Sequence, residues 1–332
     1  RKIPLDAGFS CPNRDGFLSR KGCVFCNPLG SGSGLLKKGM ELRLQWKHWR
    51  EHFLAQIPPN KTPPLFVAYL QSFSNTYGPL DKLKATLGEL FGSGPVLPLK
   101  GLSGLFIGTR PDCLEDEKIE FLAGLPTEEL WLELGLQSAS DSVLERINRG
   151  HTVAQFHDAV ERVQAIAGKR IKICVHVIAG LPGEELEQVA RTVEYVDKLP
   201  VHGIKFHNLF VPKGSGLAEL WELGDYKPPA MDEYISVLIR CLCILRPDMV
   251  VHRLGSDPAK GELLAPEWAA RKRAMLGQLD SLLEEWNSWQ GKERPGAATI
   301  PPPWFSPDSS LPESFRSKDL KQADATGHDR TG

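Results

Sequence analysis

The sequence predicts an α/β fold in which parallel β-strands alternate with crossover helices. Two observations indicate this fold: short β-branched or apolar runs recur along the chain, and longer stretches with apolar residues spaced three and four apart lie between them. The expected strands are residues 3–9, 65–70, 104–108, 130–134, 171–178, 203–206 and 249–254.

Helical periodicity marks the segments that would cover the sheet. It predicts helices over 141–148, 153–165 and 186–196. A longer amphipathic pattern over 267–289 is expected to pack across the outside or bottom of the sheet. From there the composition turns to Pro, Ser, Asp and Lys, which cannot bury enough apolar area to offset the entropy of ordering. A disordered tail is therefore expected over 292–332.

Composition limits the class of protein. The 332 residues, 41% of them apolar, are enough for one large domain or two smaller ones. Lys and Arg number 40 against 41 Asp and Glu, so no global positive field recruits nucleic acid, although a local basic groove is still possible.

Neither a long apolar run nor a leader is visible, which favours a cytosolic or organellar protein. Because residue 1 is Arg, we expect that preceding residues, with any targeting segment, have been removed.

The cysteines indicate a metal site. Of seven, Cys11, Cys23 and Cys26 crowd together with the spacing C-x11-C-x2-C, and the other four are scattered through apolar contexts. This is not a disulfide framework. Glycines and polar residues between the first two cysteines suit a loop that bends around a metal.

Spacing alone leaves three kinds of site open. Three thiolates satisfy three irons of a 4Fe–4S cluster and leave the fourth iron free, whereas electron-transfer clusters usually have four. A zinc site of three cysteines completed by a histidine is an alternative, but no histidine falls between Phe9 and Lys47. Redox thiols are the third.

A series of sequence blocks extends beyond the cysteines. DAGFSCPNRDG and GCVFCN are followed by IGTRPDCL at 107–114, LELGLQS at 132–138, INRGHT at 147–152, HVIAGLPGE at 176–184, KFHNLF from 205 and SWQGK from 288. Together they resemble the radical S-adenosylmethionine (SAM) superfamily. Within it they resemble a bacterial-type family with this cysteine spacing, which is similar to the radical SAM domain of the elongator catalytic subunit that modifies wobble uridines. The commonest superfamily motif is C-x3-C-x2-C, and the subunit's acetyltransferase domain has no counterpart here.

The resemblance implies an architecture and an activity. The fold would be a partial (β/α) barrel of about six parallel strands, with SAM at their carboxyl ends. Its parts would be a first strand and cluster loop at 1–40, the barrel at 41–255, a helical extension at 256–291 and the tail at 292–332. The enzyme would bind a 4Fe–4S cluster and cleave SAM to a 5'-deoxyadenosyl radical. A flavodoxin or ferredoxin would supply the electron.

The resemblance also assigns the residues nearest the cluster. Cys11, Cys23 and Cys26 would be the iron ligands. Phe25 matches an aromatic that lies against adenine, and a loop anchor is the alternative. Gln71 follows the second strand where related enzymes bind the SAM amine, but their Gly-Gly-Glu motif is absent.

Later blocks supply the remaining SAM contacts. Gln137 matches a glutamine near the ribose hydroxyls, and Arg149 matches an arginine near the SAM carboxylate; alone, each could be an ordinary surface residue. Gly180, Leu181 and Pro182 match a segment in which the backbone approaches adenine, helped by glycine. No catalytic residue is expected beyond these cluster and SAM ligands.

Strand ends build the active face of a parallel barrel, and two groups of residues fall there. Arg110 ends the third strand, and Glu133 on the fourth is interpreted as structural. A second group follows the later strands, comprising Lys205, His207, Lys213, His252 and Arg253. This group is either scattered surface charge or a cationic wall suited to phosphate or carboxylate groups.

The substrate is the least determined part of the hypothesis. Similarity to the elongator subunit favours RNA, with a tRNA base as the target, although the neutral overall charge argues against tight unaided binding. Modification of a small metabolite or peptide is the alternative within enzymes. A non-catalytic zinc protein that uses the barrel for interaction is the alternative outside them.

Overall fold

A parallel sheet of seven strands forms the framework of the computed structural model, which describes residues 1–28, 30, 32 and 34–294. The strands in chain order are β1 (Lys2–Leu5), β2 (Phe66–Leu70), β3 (Leu102–Thr109), β4 (Glu129–Gln137), β5 (Lys172–Ala179), β6 (Gly203–Asn208), β7 (Val211–Pro212), β8 (Val250–Arg253) and β9 (Leu263–Ala265). The sheet order is β1-β2-β3-β4-β5-β6-β8, every pair is parallel, and β7 and β9 form a separate antiparallel pair. The predicted α/β class is confirmed, with seven strands rather than about six.

The sheet curls into a partial barrel. Lys2 of β1 and His252 of β8 lie on its two edge strands, yet Lys2 Nζ is 3.2 Å from His252 Nδ1. Across the interior, Lys205 Nζ of β6 lies 2.9 Å from the hydroxyl of Tyr69 on β2. The strands therefore present one face to an enclosed interior and the other to the helices.

Alternation along β4 explains how one strand serves both faces. Leu130, Leu132 and Leu134 are fully buried in the main hydrophobic core. Trp131 belongs to a smaller apolar group inside the barrel, and Glu133 points the same way. Successive side chains of a strand face opposite sides, so the leucines pack under the helices while the residues between them line the interior.

The helices follow the strands as crossovers. In chain order they are α1 (Leu42–Leu54), α2 (Leu80–Phe91), α3 (Asp116–Ala123), α4 (Asp141–Arg146), α5 (Val153–Ala167), α6 (Leu186–Asp197), α7 (Gly216–Glu222), α8 (Met231–Ile244) and α9 (Lys272–Glu285). The three helices predicted between 141 and 196 are present as α4, α5 and α6. Thr152 begins α5 by accepting from the backbone N–H of Gln155, whose side chain bonds back to Thr152.

The long helix predicted over 267–289 is shorter than expected. A 3-10 turn covers Glu267–Ala270, and α9 begins only at Lys272. Arg271 between them has φ −110° and ψ 46°, outside the helical region, so the apolar pattern continues while the helix does not.

The division of the chain at 40, 255 and 291 stays a prediction, and so does the cytosolic or organellar location. Residues 295–332, which hold nearly all of the predicted tail, lie outside the described residues. Among the described helices, none combines the length and the apolar character that crossing a bilayer requires.

Candidate active site

A cavity of about 420 Å³ opens at the carboxyl ends of the strands. It joins residues that are distant in sequence. Its wall includes seven of the ten residues that the sequence predicted for the site: Cys11, Cys23, Cys26, Phe25, Gln71, Gln137 and Arg149.

The cysteine loop follows β1 and is held by its own side chains. The carbonyl of Cys11 accepts from the backbone N–H of Arg14 at 2.8 Å. The Arg14 guanidinium donates to the carbonyls of Cys26 at 2.8 Å and Asn27 at 2.7 Å. Gly22 has φ +75°, and a Cβ there would lie 2.9 Å from Arg14 Nε. Glycine at this position lets Arg14 cross the loop and join its two ends.

Cys23 meets two donors from other parts of the site. Asn13 Nδ2 lies 3.4 Å and Arg149 Nη1 lies 3.6 Å from its sulfur. Asn148 donates from Nδ2 to the carbonyl of Gly22 at 2.7 Å. The loop is therefore fastened to the turn after α4, which carries Arg149.

Arg149 is buried and oriented by three partners. It donates from Nη2 to the carbonyl of Gly135 at 2.7 Å and from Nε to Nε2 of His151 at 2.9 Å, in addition to its contact with Cys23. His151 thus supports Arg149. Burial and the charges of Arg149 and Arg110 lower the pKa of His151 to about 3, so its ring is neutral and can accept this bond.

Arg110 has a role that its position at a strand end did not reveal. Its guanidinium pairs with both oxygens of Asp112, at 2.9 and 2.8 Å, and donates to the carbonyl of Arg149 at 2.7 Å. It is 2% exposed and lines the cavity. Such a buried bidentate pair fixes the backbone that carries Arg149.

Burial keeps two of the thiols in the protonated form, which is the less reactive one. Burial raises the pKa of the Cys11 thiol, and it raises that of Cys26 to about 11, while Arg14 opposes the effect at Cys26. Binding iron would therefore have to displace protons, as metal binding by thiols does. The arginines beside the loop suit the negative charge of a thiolate cluster.

The described residues contain no set of three or more His, Cys, Asp or Glu side chains grouped around one ion position. A mononuclear zinc site needs all its sulfurs within about 2.3 Å of one ion, whereas the thiolates of a 4Fe–4S cluster each bind a different iron. Three thiols on one cavity wall, with arginines beside them, fit the cluster.

Gly180, Leu181 and Pro182 are not on the cavity wall. Gly180 has φ +91°, and a Cβ there would lie 2.6 Å from Pro229, so this glycine is explained by a close approach within the protein. Leu181 is 2% exposed and packs with residues of α4 such as Leu144. Their contact with adenine stays a prediction.

A buried ionic network occupies the barrel interior below the cysteines. Glu133 is fully buried and receives Lys2 Nζ at 2.6 Å, Lys205 Nζ at 2.7 Å and His176 Nε2 at 2.8 Å. Burial alone would raise the pKa of Glu133, but Lys205 and its other partners hold it well below the usual range. Burial lowers the pKa of Lys205 to about 8, against the opposing charge of Glu133.

Four residues of the second group converge, and since burial lowers the pKa of His207 and of His252, Lys205 and Arg253 carry the positive charge there. Lys205, His207 and Arg253 line the cavity, and His252 lines an adjoining pocket that shares Lys205 and Arg253. Lys213 lines neither. These residues converge because β6 and β8 are neighbours in the sheet.

Comparison with known proteins gives the family. Residues 73–196 match the model of the radical SAM superfamily, and residues 201–285 match that of the radical SAM C-terminal domain. The protein YtqA of Bacillus subtilis is 36% identical over 292 residues, which span 88% of this chain and 87% of that protein. The chain belongs to the radical SAM superfamily.

This radical SAM protein also resembles the elongator group. The tRNA uridine(34) acetyltransferase of Methanocaldococcus jannaschii is 29% identical over 137 residues, which span 40% of this chain and 24% of that protein. The Elp3 structure from Methanocaldococcus infernus superposes with a TM-score of 0.61 at 18% identity, covering 78% of this chain and 62% of that one. This likeness shows the shared fold.

As a member of this superfamily, the protein is an enzyme that uses a 4Fe–4S cluster and SAM. The predicted class of enzyme and both cofactors are confirmed.

Proposed function

We propose that Cys11, Cys23 and Cys26 hold the 4Fe–4S cluster of a radical SAM enzyme that removes a hydrogen atom from a base of tRNA. The observation that carries the ligand assignment is the convergence of the three thiols with Gln137 and Arg149 on one cavity at the carboxyl ends of the strands. When bound, the cluster and SAM supply a 5'-deoxyadenosyl radical by one-electron cleavage of SAM.

The residues of the chain position SAM. Arg149 keeps guanidinium N–H groups beyond those that bind Gly135, His151 and Cys23, and these would hold the SAM carboxylate. Gln137, at φ +77° after a register shift in β4, lines the same cavity and would hold the ribose hydroxyls.

Two further residues would complete the SAM contacts. Phe25, between two of the cysteines, would lie against adenine, and Gln71 would hold the amine.

RNA as substrate is supported by relatives. The M. jannaschii relative is named as a tRNA uridine(34) acetyltransferase, and the two chains match over 137 residues, 24% of that protein. The balanced charge of this chain predicts weak, salt-sensitive binding to tRNA. A flavodoxin or ferredoxin is proposed as the electron donor.

Anaerobic reconstitution tests the ligands. Wild-type protein should contain about four irons and four sulfides and should form 5'-deoxyadenosine from SAM and dithionite. Cys26→Ala should lose both properties, while Cys243→Ala, on α8 and away from the loop, should keep them. A colourless wild-type protein with one zinc and no sulfide would exclude the proposal.

The substrate is tested separately. Unmodified and fully modified tRNA, a peptide library and a metabolite extract are each added with SAM and dithionite, and 5'-deoxyadenosine is quantified. We expect stimulation by tRNA, with a mass change in one nucleoside. Stimulation by the extract or peptides alone would replace RNA with the alternative substrate class.

A further inference from the structure

The cavity continues below the SAM residues into the barrel interior. There its wall is formed by Lys205, His207 and Asn208 of β6 and by Arg253 of β8. An adjoining pocket of about 250 Å³ also contains Lys205 and Arg253, together with edge-strand residues of β1 and β8. Arg253 thus lines both the cavity at the cofactor end and the adjoining pocket beside the edge strands.

Positive charge exceeds negative charge in this region. Lys2, Lys205 and Arg253 surround one carboxylate, that of Glu133, which is already bound by the two lysines and His176. Arg253 pairs with β6 through its backbone, but among the residues that the structure describes none forms a hydrogen bond or an ion pair with its guanidinium. A guanidinium at a cavity wall without a partner is a site for a negative group.

Two carboxylates at the rim do not neutralise Arg253, because other groups bind them. Asp257 pairs with Lys272 Nζ at 2.5 Å. Glu262 accepts from Asn27 through one oxygen and from the backbone N–H of Ala259 at 2.8 Å through the other.

Unpaired polar atoms lie on the same wall. Asn208 is 3% exposed, and its Nδ2 is buried without a partner in the described chain; the same is true of His207 Nε2. Their opposite ends are fixed, since Asn208 Oδ1 accepts from Ser256 N at 2.6 Å and His207 Nδ1 lies 3.0 Å from Ser256 Oγ. Asn208 Nδ2 is a donor, and His207 Nε2 is one in the tautomer whose Nδ1 accepts from Ser256 Oγ; since unpaired buried donors destabilise a fold, a ligand that accepts from them is expected.

We propose that Arg253, Asn208 and His207 form a binding site for an oxyanion of the substrate, a carboxylate or a phosphate group. The inference rests on the proposed function in one respect, that the molecule entering the interior is the substrate of the radical. It differs from the SAM carboxylate site, because Arg149 is fastened to Gly135 and Cys23 at the cofactor end. Anchoring an anionic group here would hold the neighbouring C–H bonds of the substrate toward SAM.

The test measures binding without turnover. Anaerobic holoenzyme saturated with SAM, so that the Arg149 site is filled, is titrated by calorimetry with inorganic phosphate and with acetate at constant ionic strength. Affinity should fall about tenfold or more in Arg253→Gln, as expected for loss of a charge-assisted hydrogen bond. The matched control is Arg191→Gln, which removes an exposed arginine on α6 and should leave affinity unchanged.

A second variant keeps the test decisive if Arg253→Gln folds poorly. Asn208→Asp preserves shape but places a negative charge at the site, so it should weaken both anions. Iron content and circular dichroism must match wild type in each variant. Stronger binding of phosphate would identify a nucleotide phosphate as the anchored group, and stronger binding of acetate would identify a carboxylate.

The inference is overturned if neither anion binds wild type, or if Arg253→Gln and Asn208→Asp bind both as wild type does. Failure of the proposed function looks different. Wild type would bind the anion through Arg253, yet it would form no 5'-deoxyadenosine with dithionite, or tRNA would not stimulate that formation.

Discussion

Arg149 Nη2 lies 2.7 Å from the carbonyl oxygen of Gly135, so the guanidinium proposed for the SAM carboxylate rests on the backbone of β4. A Cβ at Gly135 would lie against both Arg149 Nη2 and Gln137 Nε2. The absence of a side chain at Gly135 therefore allows two of the predicted SAM residues to approach the strand together.

Gly135→Ala should displace Arg149 and Gln137 at once. We expect the dissociation constant for SAM to rise about tenfold or more, since the new methyl group occupies their place and overpacking of this kind costs about 1–3 kcal/mol. Calorimetry with SAM on the reconstituted protein measures it. Gly124→Ala is the control, because its nearest neighbour atom would be 3.5 Å from the added Cβ. An unchanged SAM affinity in Gly135→Ala would show that the pair does not hold SAM.

Local patterns predicted the strands and the cysteine loop well. Each of the seven expected strands is present, because β-branched runs and glycine boundaries act over a few residues. The three cysteines lie within one loop, so their convergence needed no knowledge of the sheet. Gln137 and Arg149 were found through the resemblance and lie on the same cavity.

Contacts across the barrel could not be predicted in this way. Lys2 and Glu133 are 131 residues apart, and they meet only because the sheet curls. Glu133 was interpreted as structural, and nothing in its local sequence indicates three cationic or histidine partners. Likewise, the bond from Arg110 to the carbonyl of Arg149 depends on how β3 and the turn after α4 are placed.

Glu133→Gln should destabilise the protein strongly. The substitution removes the one carboxylate that compensates Lys205 and Lys2, and breaking a buried ion pair from one side costs about 3–5 kcal/mol. Urea unfolding of the cluster-free protein measures the loss. Glu129→Gln on the same strand removes a half-exposed partner of Lys172 and should cost about 1 kcal/mol or less. Equal losses in the two variants would contradict a compensating role for Glu133.

The neutral histidines of the interior should make stability depend on pH. Burial and the charge of Lys205 lower the pKa of His176 to about 4, from an ordinary value of 6.5, although Glu133 opposes them. Between pH 6.5 and 4, His176 is protonated in the unfolded chain but neutral in the folded protein. This contribution to stability is therefore complete above pH 6.5 and is lost as the pH falls toward 4.

His176→Gln should therefore make the free energy of unfolding less dependent on pH. Its free energy of unfolding, measured in urea from pH 7.5 to 4, should fall less steeply than that of wild type, by up to about 1.4 kcal/mol per pH unit. His48→Asn, on the exposed surface of α1, is the matched control. A wild-type slope in His176→Gln would mean that folding does not lower the pKa of His176.

Arg14→Gln should weaken retention of the cluster while leaving the fold intact. Arg14 donates to the carbonyls of Cys26 and Asn27, and glutamine is too short and too weak a donor to span both. The end of the loop that carries Cys26 would then lose its bonds to Arg14 and keep the bond from Asn27 to Glu262 and the backbone bonds of Val24. We expect the reconstituted variant to lose iron several-fold faster than wild type when air or a chelator is added, measured by the decay of cluster absorbance.

Arg20→Gln, an exposed change in the same loop, is the control, and its cluster absorbance should decay at the wild-type rate. If both variants decay alike, the cysteines alone hold the cluster, and the cross-loop bonds of Arg14 serve another purpose.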